Sequence, residues 1–255
     1  QIVISIATIF IYMTLWWVVS LIKKRNDIAD VAWGIGFIAI SLVLFLQTNP
    51  TNIKSYIILI MVTLWGVRLA THIGIRHHGK PEDGRYQAMR KEWKYPILQS
   101  YTNVFLSQGF FMLLVAAPIL LFFSAAPGTL NWYNFIGLMI WIVGFVFESI
   151  GDYQLAQFIK NPKNKGKIMR YGLWRYSRHP NYFGEISLWW GFYIFTLFTP
   201  FWYLGLIGPL TITFLIIGVS GIPMLEERYK GNRDYENYQK TTSAFFPLPP
   251  KHQKG

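Results

Sequence analysis

The chain has 255 residues, 53% hydrophobic and 18% aromatic, with charged residues at only 14%. Soluble domains carry charge on about a quarter of their residues, so these values fit a polytopic membrane protein better than a soluble one. The formal net charge is +12 and cysteine is absent, which excludes disulfides, thiolate-held zinc and thiol catalysis. The basic excess reads as topology determinants and lipid-headgroup contacts rather than a nucleic-acid surface, with room for an anionic cofactor; no metal is expected.

Apolar runs near the length of about 20 residues that crosses a bilayer recur at 2–22, 29–47, 55–75, 101–126, 132–158, 181–199 and 203–225. The expected fold is an all-α integral membrane protein of about seven transmembrane helices, a single membrane domain over 1–255. With the first residue outside, segments 23–28, 76–100, 159–180 and 226–255 share one side. Nearly all the basic loop residues fall there, and only Lys54 lies in a loop opposite. The positive-inside rule then places the N-terminus outside and the C-terminus in the cytoplasm. The 2–22 run is long and is followed by its basic cluster, so it reads as a span and not as a cleavable leader.

Ionisable residues inside spans are costly unless paired or wetted, and so mark candidate sites. Asp27 and Asp30 open the second span, three apart on one face. They read either as helix-start acids favoured by the dipole or, for the deeper Asp30, as a buried carboxyl facing a substrate pocket and able to donate a proton. Arg68 and His72, four apart on the third span, read either as a snorkelling arginine with a capping histidine or as a pair that holds a cofactor or polarises a carbonyl. Glu148 and Asp152, four apart on the fifth span, repel each other. They need a ribose diol, an adenine amino group or arginines as partners. Glu82-Asp83-Gly84-Arg85-Tyr86 follows a Gly79-Lys80-Pro81 turn and by itself reads as an ordinary charged loop. Glu226, Glu227, Arg228 and Tyr229 follow the last span. The tail beyond carries Tyr235, Tyr238 and an apolar Phe245–Pro250 end.

The densest signal is 172–185, Gly-Leu-Trp-Arg-Tyr-Ser-Arg-His-Pro-Asn-Tyr-Phe-Gly-Glu. Proline is preorganised for the first position of a helix, so a helix is predicted to start at Pro180. Its free N–H groups and positive dipole end lie beside Arg175, Arg178 and His179, a place for a phosphate-bearing ligand. Asn181 and Glu185, four apart, share one face of that helix.

Arg-His-Pro-Asn-Tyr-x-Gly-Glu over 178–185 resembles the C-terminal signature of the steroid 5α-reductase superfamily of membrane enzymes, and most of all its bacterial DUF1295 branch. Asp30-Val31-Ala32-Trp33-Gly34, Glu82–Tyr86, and Tyr235–Tyr238 leading to Phe246-Pro247 extend the resemblance over most of the chain. It implies an NADPH-dependent reductase of an activated C=C bond in a lipid or steroid-like substrate, set in a bacterial inner membrane. The substrate-side helices would lie in 1–100 and the cofactor half in 101–255, with cytoplasmic loops and a folded-back tail closing a cofactor cavity. On this reading Glu148, Asp152, Lys167, Arg170, Tyr171, Arg175, Arg178, His179, Asn181, Tyr182, Glu185, Glu226, Tyr229 and Tyr235 bind NADPH, and Asp30, Arg68 and His72 are catalytic. No Gly-x-Gly-x-x-Gly follows a strand, so helix ends and loops must hold the dinucleotide. Asn181 and Glu185 offer a nicotinamide carboxamide its acceptor and donor.

The chain departs from the steroid 5α-reductases proper. It lacks their Gln-Glu dipeptide, and Trp65 falls near the position of their tyrosine acid. An S-adenosylmethionine-dependent methyltransferase of the isoprenylcysteine type is the alternative, because Arg-His-Pro and Glu226-Glu227 are similar to that group as well. A non-enzymatic lipid-binding protein is the third class.

Overall fold

The computed structural model describes residues 1–125 and 128–251. Every regular element among them is helical. Five helices are long and apolar enough to cross a membrane: Ile2–Lys23, Ile28–Thr48, Ile53–His77, Trp132–Lys160 and Trp202–Glu227. A bent pair, Pro96–Val115 with Ala117–Ser124, makes a sixth if it is one span. The protein is an all-helical membrane protein. The predicted 181–199 span is a helix of 16 residues, Pro180–Phe195. At about 1.5 Å per residue it is roughly 24 Å long, short of the roughly 30 Å hydrocarbon core.

The helices fall into two compact units. The first comprises Gln1–Asn131 and Thr196–Gly208. It holds α1 (Ile2–Lys23), α2 (Ile28–Thr48), α3 (Ile53–His77), α4 (Gly84–Glu92), α5 (Pro96–Ser100), α6 (Ser107–Val115) and α7 (Ala117–Ser124). Glycines let α2 and α3 touch backbone to backbone, since a Cβ on Gly34 would lie 2.6 Å from the Gly66 carbonyl oxygen. That contact sets Phe37 edge-on to Trp65 at 5.3 Å, both fully buried. Asn52 caps α3 by accepting from the Ser55 N–H at 3.0 Å. Lys54, expected in a loop, is instead buried in the first turn of α3. A π-helical stretch, Tyr101–Leu106, joins α5 to α6. The chain then bends by 58° into α7, where Pro118 offers no N–H and its ring crowds the preceding turn.

The second unit comprises Trp132–Phe195 and the chain from Pro209. It holds α8 (Trp132–Lys160) and α9 (Pro180–Phe195), then most of α10 (Ile207–Phe214), α11 (Ile222–Glu227) and α12 (Arg233–Thr241). As predicted, Pro180 opens α9. α8 and α9 lie against each other along a glycine seam: a Cβ on Gly144 would lie 2.5 Å from the Leu188 nitrogen, and one on Gly191 2.6 Å from the Trp141 nitrogen. Gly144→Ile should therefore force the helices apart and cost about 1–3 kcal/mol or more, read as a lower melting temperature in detergent. A Cβ at Gly74 meets nothing within 4 Å. Gly74→Ala should leave stability unchanged or raise it by up to about 1 kcal/mol, since it removes a mid-helix glycine. Equal melting of the two variants would contradict the seam.

Candidate functional site

In the second unit the 172–179 loop is fastened to α8 before α9 begins. The Leu173 N–H donates to Gln154 Oε1 at 2.9 Å, and the Trp174 indole donates to the Gly151 carbonyl at 3.0 Å. The tail after α12 then runs back along this loop. The Arg178 N–H donates to the Ser243 carbonyl (2.8 Å), the Leu248 N–H to the Tyr176 carbonyl (2.9 Å), and Ser177 Oγ to the Phe245 carbonyl (2.8 Å). The Tyr238 hydroxyl donates to the Trp174 carbonyl. The tail thus folds back onto the loop, as the resemblance implies.

Arg178 was expected on a phosphate. Its guanidinium is buried and bonds the tail. Nε and Nη2 sit 2.9 and 2.8 Å from Glu226 Oε1, and Nη1 donates to the Thr242 carbonyl at 2.5 Å. Glu226 is the hub of this cluster. It also accepts from His179 Nε2 (3.1 Å), the Tyr235 hydroxyl (3.3 Å) and Gln239 Nε2 (2.9 Å). Arg170 likewise binds the tail, donating to the Asp234 carbonyl at 2.5 Å and lying over the Tyr238 ring. Tyr229 stacks on the buried Tyr235 at 4.4 Å.

Two atoms at the start of α9 are left over. Burial lowers the His179 pKa, against the opposing pull of Glu226, and so favours the neutral ring. Facing the Glu226 carboxylate, Nε2 must carry the proton, and Nδ1 is then a bare acceptor. The Asn181 amide is oriented by Asp152, to whose Oδ1 its Nδ2 donates at 3.0 Å. Asn181 Oδ1 therefore points elsewhere. Both atoms are buried and have no hydrogen-bond partner among the described residues. Buried polar atoms of this kind are uncommon in folded proteins, and a ligand's donors are one way to satisfy them. Asp152, expected to need a partner, has Asn181. Glu148 is buried on the preceding turn of α8, where a Cβ on Gly184 would run into its backbone nitrogen. Tyr182 stacks on His179 at 5.6 Å, and Glu185 is half-buried one turn further along α9. Lys167, Tyr171 and Arg175 are exposed.

The first unit holds a separate polar cluster. Asp27 is fully buried. Arg25 grips it with two bonds of 2.6 and 2.7 Å, and the Asp83 N–H donates to it at 2.9 Å. Burial alone would raise its pKa, but these bonds outweigh it and hold the carboxyl below its usual range. Beside it Glu82 accepts from the Asn26 N–H (2.5 Å) and Arg90 (2.7 Å). The 82–86 motif is thus no ordinary charged loop: it docks on the α1–α2 corner. Docking delivers Arg85 and Tyr86 to Asp30. The Tyr86 hydroxyl donates to Asp30 Oδ1 at 2.5 Å, and Arg85 Nη2 lies 3.1 Å from Oδ2. Gln108 Nε2 reaches the Tyr86 hydroxyl at 3.2 Å and Asp30 at 3.4 Å. Asp30 therefore faces a guanidinium, a phenol and an amide rather than the apolar surrounding expected of it. Arg68 and His72 sit half-buried one turn apart on α3. Gln108, His77, which lies 3.7 Å from Asp27, and Gln239 were all missed. Gln108 left a signal, an amide inside an apolar run, where polar groups are costly.

The model of a family described as "Protein of unknown function (DUF1295)" matches residues 16–242. The chain belongs to that family. The match runs from α1 through the end of α12 and so takes in the Asp30 cluster and the Arg178–Glu226 cluster alike. An uncharacterized protein of Schizosaccharomyces pombe is 28% identical over 286 aligned positions, covering 96% of this chain and 79% of its own. A protein named "Probable O-methyltransferase ustE", from Ustilaginoidea virens, is 44% identical over 52 residues, 20% of this chain and 18% of that one. No solved structure matches the chain significantly.

Proposed function

We propose that this protein is an NADPH-dependent membrane reductase that saturates an activated C=C bond in a lipid or steroid-like substrate. The observation that carries the reading is the pair of buried acceptors, His179 Nδ1 and Asn181 Oδ1, at the start of α9. A carboxamide NH2 matches the Asn181 oxygen, and His179 Nδ1 suits a second donor such as a hydroxyl. Glu148 and Asp152 lie on the adjoining face of α8, and Lys167 and Arg175 supply exposed positive charge for phosphates. Arg178, Arg170, Glu226 and Tyr235 hold the tail over this region, positioning the site rather than gripping phosphate themselves. NADPH supplies a hydride when bound.

On the substrate side Tyr86 holds the proton. Burial, and then the charge of Asp30, push its pKa well above the ordinary value, and its hydroxyl is fixed on Asp30. Turning toward a substrate carbonyl oxygen gives up that bond, and Arg85 and Gln108 remain on Asp30 to compensate. Such a donor stabilises charge developing on the oxygen as the double bond is reduced. Arg68 and His72, on the neighbouring α3, remain the residues to orient the substrate end.

The same reading takes the chain as one membrane domain with seven spans, in a bacterial inner membrane with the N-terminus outside. A parity argument supports the count. The 174–178 loop hydrogen-bonds the tail at Ser243 and Leu248, so both lie on one side of the membrane. The chain between them must cross an even number of times. If Trp202–Glu227 crosses, as its length allows, an even count asks the short α9 to cross as well. Cysteines introduced as Thr51→Cys and Lys165→Cys should label from opposite faces of sealed vesicles; labelling from one face would contradict the thread.

The 52-residue likeness to a probable O-methyltransferase favours the second reading, an S-adenosylmethionine-dependent methyltransferase. Titration of the purified protein separates them. Saturable quenching of tryptophan fluorescence by NADPH, and none by S-adenosylmethionine, is expected. The reverse result overturns the reductase reading.

A further inference from the structure

A groove in the first unit lies apart from both polar clusters. It has a volume of about 440 Å³ and is lined by Trp17, Lys94, Tyr95, Pro96, Ile97, Leu98 and Tyr101, within the roughly 300–1,000 Å³ of small-ligand sites. Its walls are α1 on one side and the start of the bent span, α5 with the π-helical stretch, on the other. The polar ends of two of its aromatic rings are already satisfied. The Trp17 indole donates to Ser100 Oγ at 3.1 Å, and the Tyr101 hydroxyl pairs with Thr14 Oγ1 at 2.8 Å. The two rings pack on each other at 4.6 Å, so their exposed atoms in the groove wall are hydrocarbon apart from those two satisfied ends. Ile97 and Leu98 are 64% and 59% exposed, an apolar floor open to the surroundings.

The mouth has the opposite character. Lys94 is the single charge in the lining, and its ammonium lies 5.4 Å from the Tyr95 ring centre. Trp17 is six residues, about 9 Å, before the end of α1 at Lys23. Lys23 and Lys24 are exposed there. The groove therefore opens at the level where a span meets the headgroups, the depth at which tryptophan and tyrosine concentrate, and basic residues attract anionic lipid.

We propose that this groove is a binding site for an anionic phospholipid, one acyl chain lying between Trp17 and Leu98 and the headgroup phosphate at Lys94. A zwitterionic lipid of the same chain length fits the apolar floor equally well but gains less at the mouth. The site does not depend on the reductase reading, since none of its residues belongs to either polar cluster.

The test uses the full chain in nanodiscs doped with phosphatidylglycerol or phosphatidylcholine, each with a diazirine in one acyl chain, and maps the photoadducts. Adducts on the Trp17 and Tyr95–Tyr101 peptides should be enriched with phosphatidylglycerol over phosphatidylcholine, by roughly fivefold for one lysine near the surface. Lys94→Gln should bring the two lipids to equal labelling. Ile97→Trp, which fills the groove, should remove adducts from Trp17 for both. Both substitutions are at exposed positions. Gel filtration and the labelling of other lipid-facing helices check that the variants are folded. Labelling of the groove no greater than that of other lipid-facing helices, or a phosphatidylglycerol preference unchanged in Lys94→Gln, overturns the proposal.

Discussion

Tyr86→Phe is expected to leave NADPH affinity unchanged and to lower turnover by about 10²–10⁴-fold, the range a positioned proton donor contributes. The substitution removes one oxygen and keeps the ring, which is 7% exposed, so packing is preserved. The lost group is the hydroxyl 2.5 Å from Asp30. Asp30→Asn should have a smaller effect, because it leaves the phenol in place and removes only the carboxylate that orients it. Asn at 30 can still accept one bond, but it no longer balances the Arg85 guanidinium 3.1 Å away. The order Tyr86→Phe below Asp30→Asn below parent, read as NADPH oxidation over a panel of conjugated lipid enones, is the signature of a phenol held by a carboxylate. The opposite order would return the proton to Asp30. Parental turnover in Tyr86→Phe, with an unchanged pH profile, would place the proton source on neither.

What could be read from the sequence follows from the range of the forces involved. Hydropathy is local, and the spans over α1, α2, α3 and α8 sit within a few residues of their predicted places. The start of α9 was legible because Pro180 carries its own signal. Its end was not: the apolar run continues to 199, but Phe198 takes φ 62° and Phe201 φ 59°, left-handed geometry that hydropathy does not encode. The partners of the charged groups were less legible still. Asp27 and Asp83 are 56 positions apart, and Arg178 and Glu226 are 48 apart. A guanidinium beside a helix start reads as a phosphate ligand, and nothing local in the sequence shows that it also bonds a tail that folds back onto it. Gln108 is less conspicuous because its amide carries no charge. Its amide sits in the same costly environment and completes the Asp30 cluster.

Asn181→Ala is expected to raise the dissociation constant for NADPH about 5–150-fold, which is about 1–3 kcal/mol, the cost of leaving a buried polar group of the ligand without its partner. The comparison with Asp152 gives the measurement its force. Asp152 does not offer the leftover acceptor; it aims it, by taking the Asn181 Nδ2 hydrogen at 3.0 Å. Asp152→Ala leaves Asn181 able to turn either face toward a ligand, so the acceptor survives at an entropic cost and the loss should be the smaller of the two. If Asp152 itself met a ribose hydroxyl, the two single variants would lose comparably and the double variant would lose their sum. Under the orienting role the double variant should resemble Asn181→Ala alone, because an amide that is gone needs no aiming. An unchanged dissociation constant in Asn181→Ala would remove the start of α9 from the cofactor site, and with it the main support for the reductase reading.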